Sequence, residues 1–383
     1  MSEIPDNPFT PGIGELPPVM GHRPEIETHL LRMLRELRKG RAHAKYVILY
    51  GPRGIGKTVL LTWLESQATS QSVTCASLMP VNLQTDGALA RALEAAAGHP
   101  EIVRKILRSL DFTISAGLAG VSAQLGARDQ ELDPARQIAR STLLIILDEA
   151  HRVVPSRLAR LMDAVQAAGK TSPVALVLAG TPGLEDTLRA SGASYWSRAA
   201  KLAVGLLPPV EAERAVAEPF RQAGITLKDK AATSLATAAE HYPFFLQLYG
   251  AIAWDAVTEA GSWHPGPEQI TVAKEIGHAK RRGYYSDRYE EFSDAKALPL
   301  ARAVALAFLE HGECLDDARL NAVLDRSVTD VNLETPDARR LLRAHGYIWR
   351  PQPGADWEPG IPSLMDYMIA KTEPVKFRLD REI

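Results

Sequence analysis

The stretch Gly51-Pro52-Arg53-Gly54-Ile55-Gly56-Lys57-Thr58 combines the residue types that hold phosphate, at the spacing GxxxxGK[ST]. Its glycines let the backbone wrap an anion, so that successive N–H groups and the following helix N-terminus point at the charge. Lys57 offers an ammonium to the β- and γ-phosphates of ATP, and Thr58 offers a hydroxyl to Mg²⁺. The phosphate-holding run extends to Val59, where an apolar helix begins. The run KYVILY directly before it reads as a strand, which is the context this loop requires.

A second group supplies acid–base chemistry. The run LLIILDEAH ends an apolar strand in Asp148 and Glu149. Asp148 suits the Mg²⁺ shell, and Glu149 suits the base that polarises an attacking water. The letters Asp-Glu-Ala-His also spell one helicase signature. A single phosphate loop and no other helicase motif leave no room for two motor cores. Next comes LAGTPGLEDTL, with Thr181 at the tip of another strand. Thr181 either positions the lytic water or caps the next helix. Arg198, in SYWSRAAKL, either reaches a neighbouring subunit's γ-phosphate as an arginine finger or remains a surface arginine.

Strands must bring these groups together. Short apolar runs at 45–50, 72–79, 143–147, 174–179 and 200–206 alternate with helical stretches. Runs apolar at every position fit a parallel sheet covered on both faces, hence an α/β P-loop core. Before it, Ile26, Leu30, Met33, Leu34 and Leu37 recur at helical spacing, with Gly40 as a stop. The 383 residues suggest several domains. A net charge of −2 argues against wholesale coating of nucleic acid or lipid. Two distant cysteines signal neither a disulfide framework nor a zinc site. The acidic, proline-rich start lacks the form of a signal peptide, and the apolar runs are too short for a membrane span. The expectation is a cytoplasmic protein with no membrane association.

Residues 1–19 read as an unstructured or loosely docked arm and 20–208 as the core. A purely helical pattern covers 209–292, and a further domain covers 293–375 before a tail at 376–383. The stretch 112–127 lacks helical period and reads as a small inserted hairpin. In the last domain, helices at 298–311, 316–325 and 336–345 precede a hairpin turning at Pro351, Pro353 and Gly354. Thr335 caps the third helix, which turns Arg339, Arg340 and Arg343 outward and Leu341 and Leu342 inward.

Together these residues resemble the AAA+ ATPases, especially the branch holding initiator (origin-recognition-like) and STAND signalling ATPases. VMGHRPEI resembles that branch's Gly-Arg-x-x-Glu box near the adenine, with His22 where arginine is usual. EHYPFFLQLYG resembles the Gly-Tyr-Pro segment that opens the last lid helix, with Pro243 near the base and His241 replacing the glycine. That helix lacks the arginine many relatives use to sense the γ-phosphate, which implies a slow switch and not a fast motor. The C-terminal domain resembles a winged helix-turn-helix. The resemblance implies ATP and Mg²⁺ as cofactors, ADP as product and an ATP-dependent homo-oligomer. For the winged helix it leaves two ligands open: double-stranded DNA, through Arg339, Arg340 and Arg343, or a partner protein encoded nearby.

Overall fold

The structure is a computed structural model that describes residues 6–12, 16–40, 45–96, 142–228, 230–261, 263–294, 297–312 and 314–371. The hairpin expected at 112–127 lies outside these residues. The chain forms two compact units. One comprises Pro24–Tyr50 and Leu60–Leu202; the other comprises Met1–Arg23, Gly51–Val59 and Ala203–Ile383. The sequence divisions at 208/209 and 292/293 are not where these units part.

The first unit is built on a sheet of β1 (Lys45–Tyr50), β2 (Thr74–Leu78), β3 (Leu143–Leu147), β4 (Val174–Gly180) and β5 (Ala200–Ala203), in the order β2-β3-β4-β1-β5. The pairs β1–β4, β3–β4 and β2–β3 are parallel. All of β3 and all of β4 are buried, as expected for strands covered on both faces. The cover includes α4 (Pro155–Ala168), numbered after α1 (Pro24–Arg38), α2 (Lys57–Ser70) and α3 (Asp86–Ala96). The five apolar residues expected to face inward from α1 are all buried. Because β4 lies between β1 and β3, three carboxyl ends stand side by side. Tyr50 is in register with Gly180, and Leu147 with Leu178. Such adjacent strand ends form the crevice where open α/β sheets bind ligands.

After α5 (Leu184–Ala190), the second unit contains α6 (Pro209–Gln222), α7 (Ala231–Ala238), α8 (Pro243–Glu259) and the long α9 (Pro267–Asp294). Then come α10 (Leu298–His311), α11 (Asp317–Ser327), α12 (Thr335–Ala344), the antiparallel pair β6 (Ile348–Trp349) and β7 (Glu358–Pro359), and α13 (Leu364–Ala370). An antiparallel bridge joins Leu315 to Trp357. The expected helices and hairpin are present to within two residues. Gly354 takes φ +82°, a conformation glycine adopts without a Cβ penalty.

A buried cation joins the α7–α8 turn to the C-terminal segment. Arg281 of α9 is fully buried, pairs with Glu240 and Tyr285, and donates to the Ala238 carbonyl at 2.8 Å. Tyr285 donates onward to the Pro362 carbonyl at 2.6 Å, and the Ser363 hydroxyl donates to Glu240. A guanidinium is tolerated in such a place only when paired and hydrogen-bonded in this way.

The N-terminal arm is docked where it is described, though it forms no helix or strand. Phe9 is buried against Phe220 and Trp254 at ring distances of 5.5 and 6.3 Å. A Cβ on Gly250 would sit 2.4 Å from its ring, so the missing side chain makes the seat. Asn7 donates to the Ala251 carbonyl at 3.0 Å.

Candidate functional site

In the second unit, the glycine loop leaves β1 and enters α2 with the conformations its sequence demands. Gly54 and Gly56 take φ +73° and +90°. A Cβ on Gly51 would stand 2.3 Å from the Val204 carbonyl oxygen, so no other residue fits there. Lys57 is 6% exposed and donates to the carbonyls of Gly51 at 2.9 Å and Pro52 at 2.6 Å. The buried ammonium is thus held by the loop itself. Thr58 follows in the first turn of α2.

Two other segments close around this loop. Phe244 N–H donates to the Gly54 carbonyl at 3.2 Å, and the ring of Pro243 lies 3.8 Å from where a Gly56 Cβ would be. Pro243 therefore sits on the loop side of α8. Glu240 and His241, before it, hold φ +50° and +54°. The position where the resembling segment has glycine is thus left-handed here, occupied by a histidine at a conformational cost. Arg23 donates to the carbonyls of Ile55 at 2.8 Å and Gly205 at 3.1 Å, and its guanidinium lies 3.9 Å from the Gly56 position. The arginine that reaches the loop is therefore Arg23, one residue after the His22 that stands at the box's usual arginine position.

Arg53 points out of the loop and pairs with Glu291 of α9 at 3.1 Å. Glu291 also pairs with Arg288 at 2.7 Å and lies 3.5 Å from Nδ1 of His345, at the end of α12. A Cβ on Gly346 would stand 3.6 Å from the Arg53 amide nitrogen. Burial lowers the His345 pKa, the Arg53 and Arg288 cations add to that, and Glu291 opposes it.

The acid–base group lies in the first unit, at the ends of β3 and β4. Asp148 is 7% exposed, its N–H donates to the Leu78 carbonyl at 3.1 Å, and its Oδ1 accepts the Glu149 N–H at 2.7 Å. Glu149 holds φ +50°, an unfavourable conformation for a residue with a side chain, and one that clusters at functional sites. His151 lies between the strand ends: Nε2 is 3.6 Å from Glu149 Oε2, and Nδ1 accepts the Thr181 N–H at 3.3 Å. The Thr181 hydroxyl is fully buried and finds no hydrogen-bond partner among the described residues. An orphan hydroxyl of this kind calls for an explanation.

Arg198 is exposed, at the end of the short helix Ser194–Arg198. It lines a half-open cavity of about 640 Å³ with His29, Arg32, Lys45 and the stacked rings of Tyr46 and Tyr195. On α12, Arg340 is exposed and pairs with Asp337 at 2.5 Å. Arg339 is only half exposed: it bonds to Asn321 and lies 5.9 Å from the Trp357 ring centre. Arg343 is half-buried, as is Leu341, whereas Leu342 is fully buried. Glu334, not Thr335, occupies the cap position, and the Thr335 hydroxyl donates to Asp325 at 2.5 Å.

Strand order, glycine loop and paired carboxylates define a P-loop nucleoside-triphosphatase fold of the AAA type. Residues 40–188 match the family described as the AAA domain. Among solved structures, the chain is similar to the Walker-type ATPase PABY2304 of Pyrococcus abyssi, with a TM-score of 0.57 and 15% identity over 91% of this chain and 96% of that one. It is also similar to the ORC2 protein of Aeropyrum pernix in ADPNP–ADP complexes, with a TM-score of 0.54 and 15% identity over 95% and 98% of the two chains. The ADP form of that protein gives a TM-score of 0.53 and 16% identity, over 94% and 97%. No curated protein matches the sequence. Likeness at such identities defines the fold, here from the sheet through the C-terminal helices. Among the described residues, no helix is long and apolar enough to cross a membrane.

Proposed function

We propose that this chain binds ATP with Mg²⁺, hydrolyses it slowly to ADP, and uses its nucleotide state to control a C-terminal winged helix-turn-helix, in the manner of initiator or STAND-type AAA+ ATPases. The loop fits a polyphosphate: Gly54 and Gly56 hold the left-handed conformations that turn N–H groups inward, and Lys57 supplies a buried ammonium. Lys57 and the loop amides would hold the β- and γ-phosphates, with Arg23 and Pro243 nearer the base. Thr58 and Asp148 would hold Mg²⁺, which when bound neutralises charge developing on the phosphates. Glu149 takes the proton of the attacking water, and the orphan Thr181 hydroxyl hydrogen-bonds that water. Arg198 serves the site of a neighbouring copy.

The switch reading rests on one observation, the pairing of Arg53 with Glu291 beside His345. It ties the phosphate loop to the end of α12 within a single compact unit. Any ligand that moves Arg53 acts on that helix. The first outlet for such a signal is duplex DNA, for an initiator, transposition regulator or defence component in the cytoplasm. A second outlet, a partner protein, is favoured by the Arg339 and Arg340 contacts, since both cations are already engaged within the domain. Isothermal titration of ATP against wild type and Lys57→Ala tests the nucleotide site. Binding by wild type alone is expected, and equal binding by both would overturn the reading.

A further inference from the structure

The imidazole of His151 bridges the two strand ends that carry Glu149 and Thr181. We propose that His151 is a positioning residue for hydrolysis: its Nδ1 is anchored by the Thr181 N–H, and its Nε2–H stands within reach of the Glu149 carboxylate, which closes onto it during turnover. The inference rests on the ATPase reading and adds to it a residue with no role so far.

The geometry fixes the tautomer. Thr181 N–H donates to Nδ1 at 3.3 Å, so Nδ1 carries its lone pair and the ring proton is on Nε2. An imidazolium has no acceptor and could not receive that bond. The Nε2–H then faces Glu149 Oε2 at 3.6 Å, just beyond hydrogen-bond length. Small movements of the carboxylate therefore make or release the contact. The ring has little freedom of its own. Its side chain is 9% exposed, and the His151 carbonyl accepts the Thr187 hydroxyl at 3.2 Å. A Cβ on Gly180 would come within 3.1 Å of Nδ1, so glycine at the end of β4 leaves the space the ring needs.

The consequence is mechanical. Glu149 stands on a left-handed residue with few conformational options, and its carboxylate lies 3.6 Å from Nε2. Thr181 carries the orphan hydroxyl. When the carboxylate closes onto Nε2, the ring fixes its distance from Thr181. Misplacing a catalytic group by about 1 Å costs on the order of 100-fold in rate.

Asparagine and glutamine dissect the ring's two contacts. Asparagine can place an acceptor near Nδ1 and keep the Thr181 bond, while glutamine can place a donor near Nε2 and keep the Glu149 contact. His151→Asn should lower kcat by about 10- to 100-fold with ATP affinity unchanged, and His151→Gln should retain most of the rate. Adding His151→Asn to Glu149→Gln should cost nothing further, because the residue being positioned is already disabled. Long-range ¹⁵N correlation spectra of the nucleotide-free protein should show the Nε2–H tautomer, and this needs neither variant nor turnover. An Nδ1–H tautomer, equal losses from both His151 variants, or full additivity with Glu149→Gln would each overturn the inference while leaving the ATPase reading intact. Wild type that binds ATP and never turns it over would overturn both.

Discussion

Arg53, inside the phosphate loop, pairs at 3.1 Å with Glu291, and the same carboxylate lies 3.5 Å from the His345 imidazole at the end of α12. Nearly 240 residues separate Arg53 from Glu291 in the chain. Both groups are about one-third exposed, so the pair adds little to stability, about 1 kcal/mol at most. Its value lies in linkage. In wild type, ATP should change hydrogen exchange at residues 335–346, because phosphate competes with Glu291 for the Arg53 guanidinium. Glu291→Ala should fold normally and bind ATP, but lose that change. If the change persists in the variant, this pair is not the link.

Lys57→Ala should abolish ATP binding, since it removes the one buried ammonium in the loop. Glu149→Gln should bind ATP as wild type does and turn over about 100-fold or more slowly, because an amide cannot draw the proton from water. Titration calorimetry with phosphate-release kinetics separates the two outcomes. Normal turnover by Glu149→Gln would show that another group is the base.

Thr181→Val should move stability and rate in opposite directions. Valine keeps the shape and removes a buried hydroxyl that has no partner among the described residues. An unsatisfied buried group costs about 1–3 kcal/mol, so the melting temperature should rise. Turnover should fall if, as proposed, the hydroxyl holds the attacking water. A melting temperature that drops would mean the hydroxyl is satisfied and the residue is a turn cap.

The glycine loop was legible in the sequence because local geometry imposes its glycines. Gly51 has a carbonyl oxygen where a Cβ would stand, and Gly54 and Gly56 sit at positive φ. Any chain making this loop must write glycine there. Burial along β3 and β4 was legible for a similar reason, since strands covered on both faces are apolar throughout. Arg23, Glu291 and His151 were not legible. Their roles depend on neighbours that only the fold supplies. Helical period alone turns Arg339 outward, but it is only half exposed. Trp357, 18 residues later on the hairpin, then covers it. The Phe9 anchor was hidden likewise, because its seat exists only once Phe220, Gly250 and Trp254 converge.

Stability should fall as the solution is acidified below the ordinary histidine value of 6.5. Burial first, then Arg53 and Arg288, lower the His345 pKa in the folded state, and Glu291 opposes them. Between that lowered value and 6.5, the unfolded chain binds a proton that the folded chain does not. Acid therefore favours unfolding, and the contribution is complete above 6.5. His29, lowered by burial and by Arg32, acts in the same direction. Denaturant titrations at pH 5.5 and 7.5 should show the difference, and His345→Gln should reduce it. An unchanged pH dependence in that variant would assign the effect to other groups.

Arg198 stands exposed beside a cavity that Arg32 and Lys45 also line, and it is the arginine proposed to serve a neighbouring copy. Specific ATPase activity should rise with protein concentration, and Arg198→Ala should remove the rise without weakening ATP binding. Turnover independent of concentration in a strictly monomeric sample would return Arg198 to the surface.

DNA binding, if α12 is the reader, should be weak, sparing in phosphate contacts and sensitive to nucleotide. Of the three arginines, only Arg340 is exposed, and it is paired with Asp337 at 2.5 Å. Arg339 would have to leave Asn321 and Trp357 to reach a phosphate, and Arg343 starts half-buried. Each phosphate neutralised contributes about 0.9 to the slope of log affinity against log salt, so a slope of magnitude about 1–3 is expected. A broad basic face would give a steeper one. The Arg53–Glu291 link predicts that affinity differs between ATP and ADP. Fluorescence anisotropy on duplex DNA, at several salt concentrations with each nucleotide, measures both effects. Replacing Arg339, Arg340 and Arg343 together with alanine should abolish binding. Undiminished binding by that variant would exclude α12 as the reader. No binding by wild type at low salt with ATP would direct the switch to a protein partner.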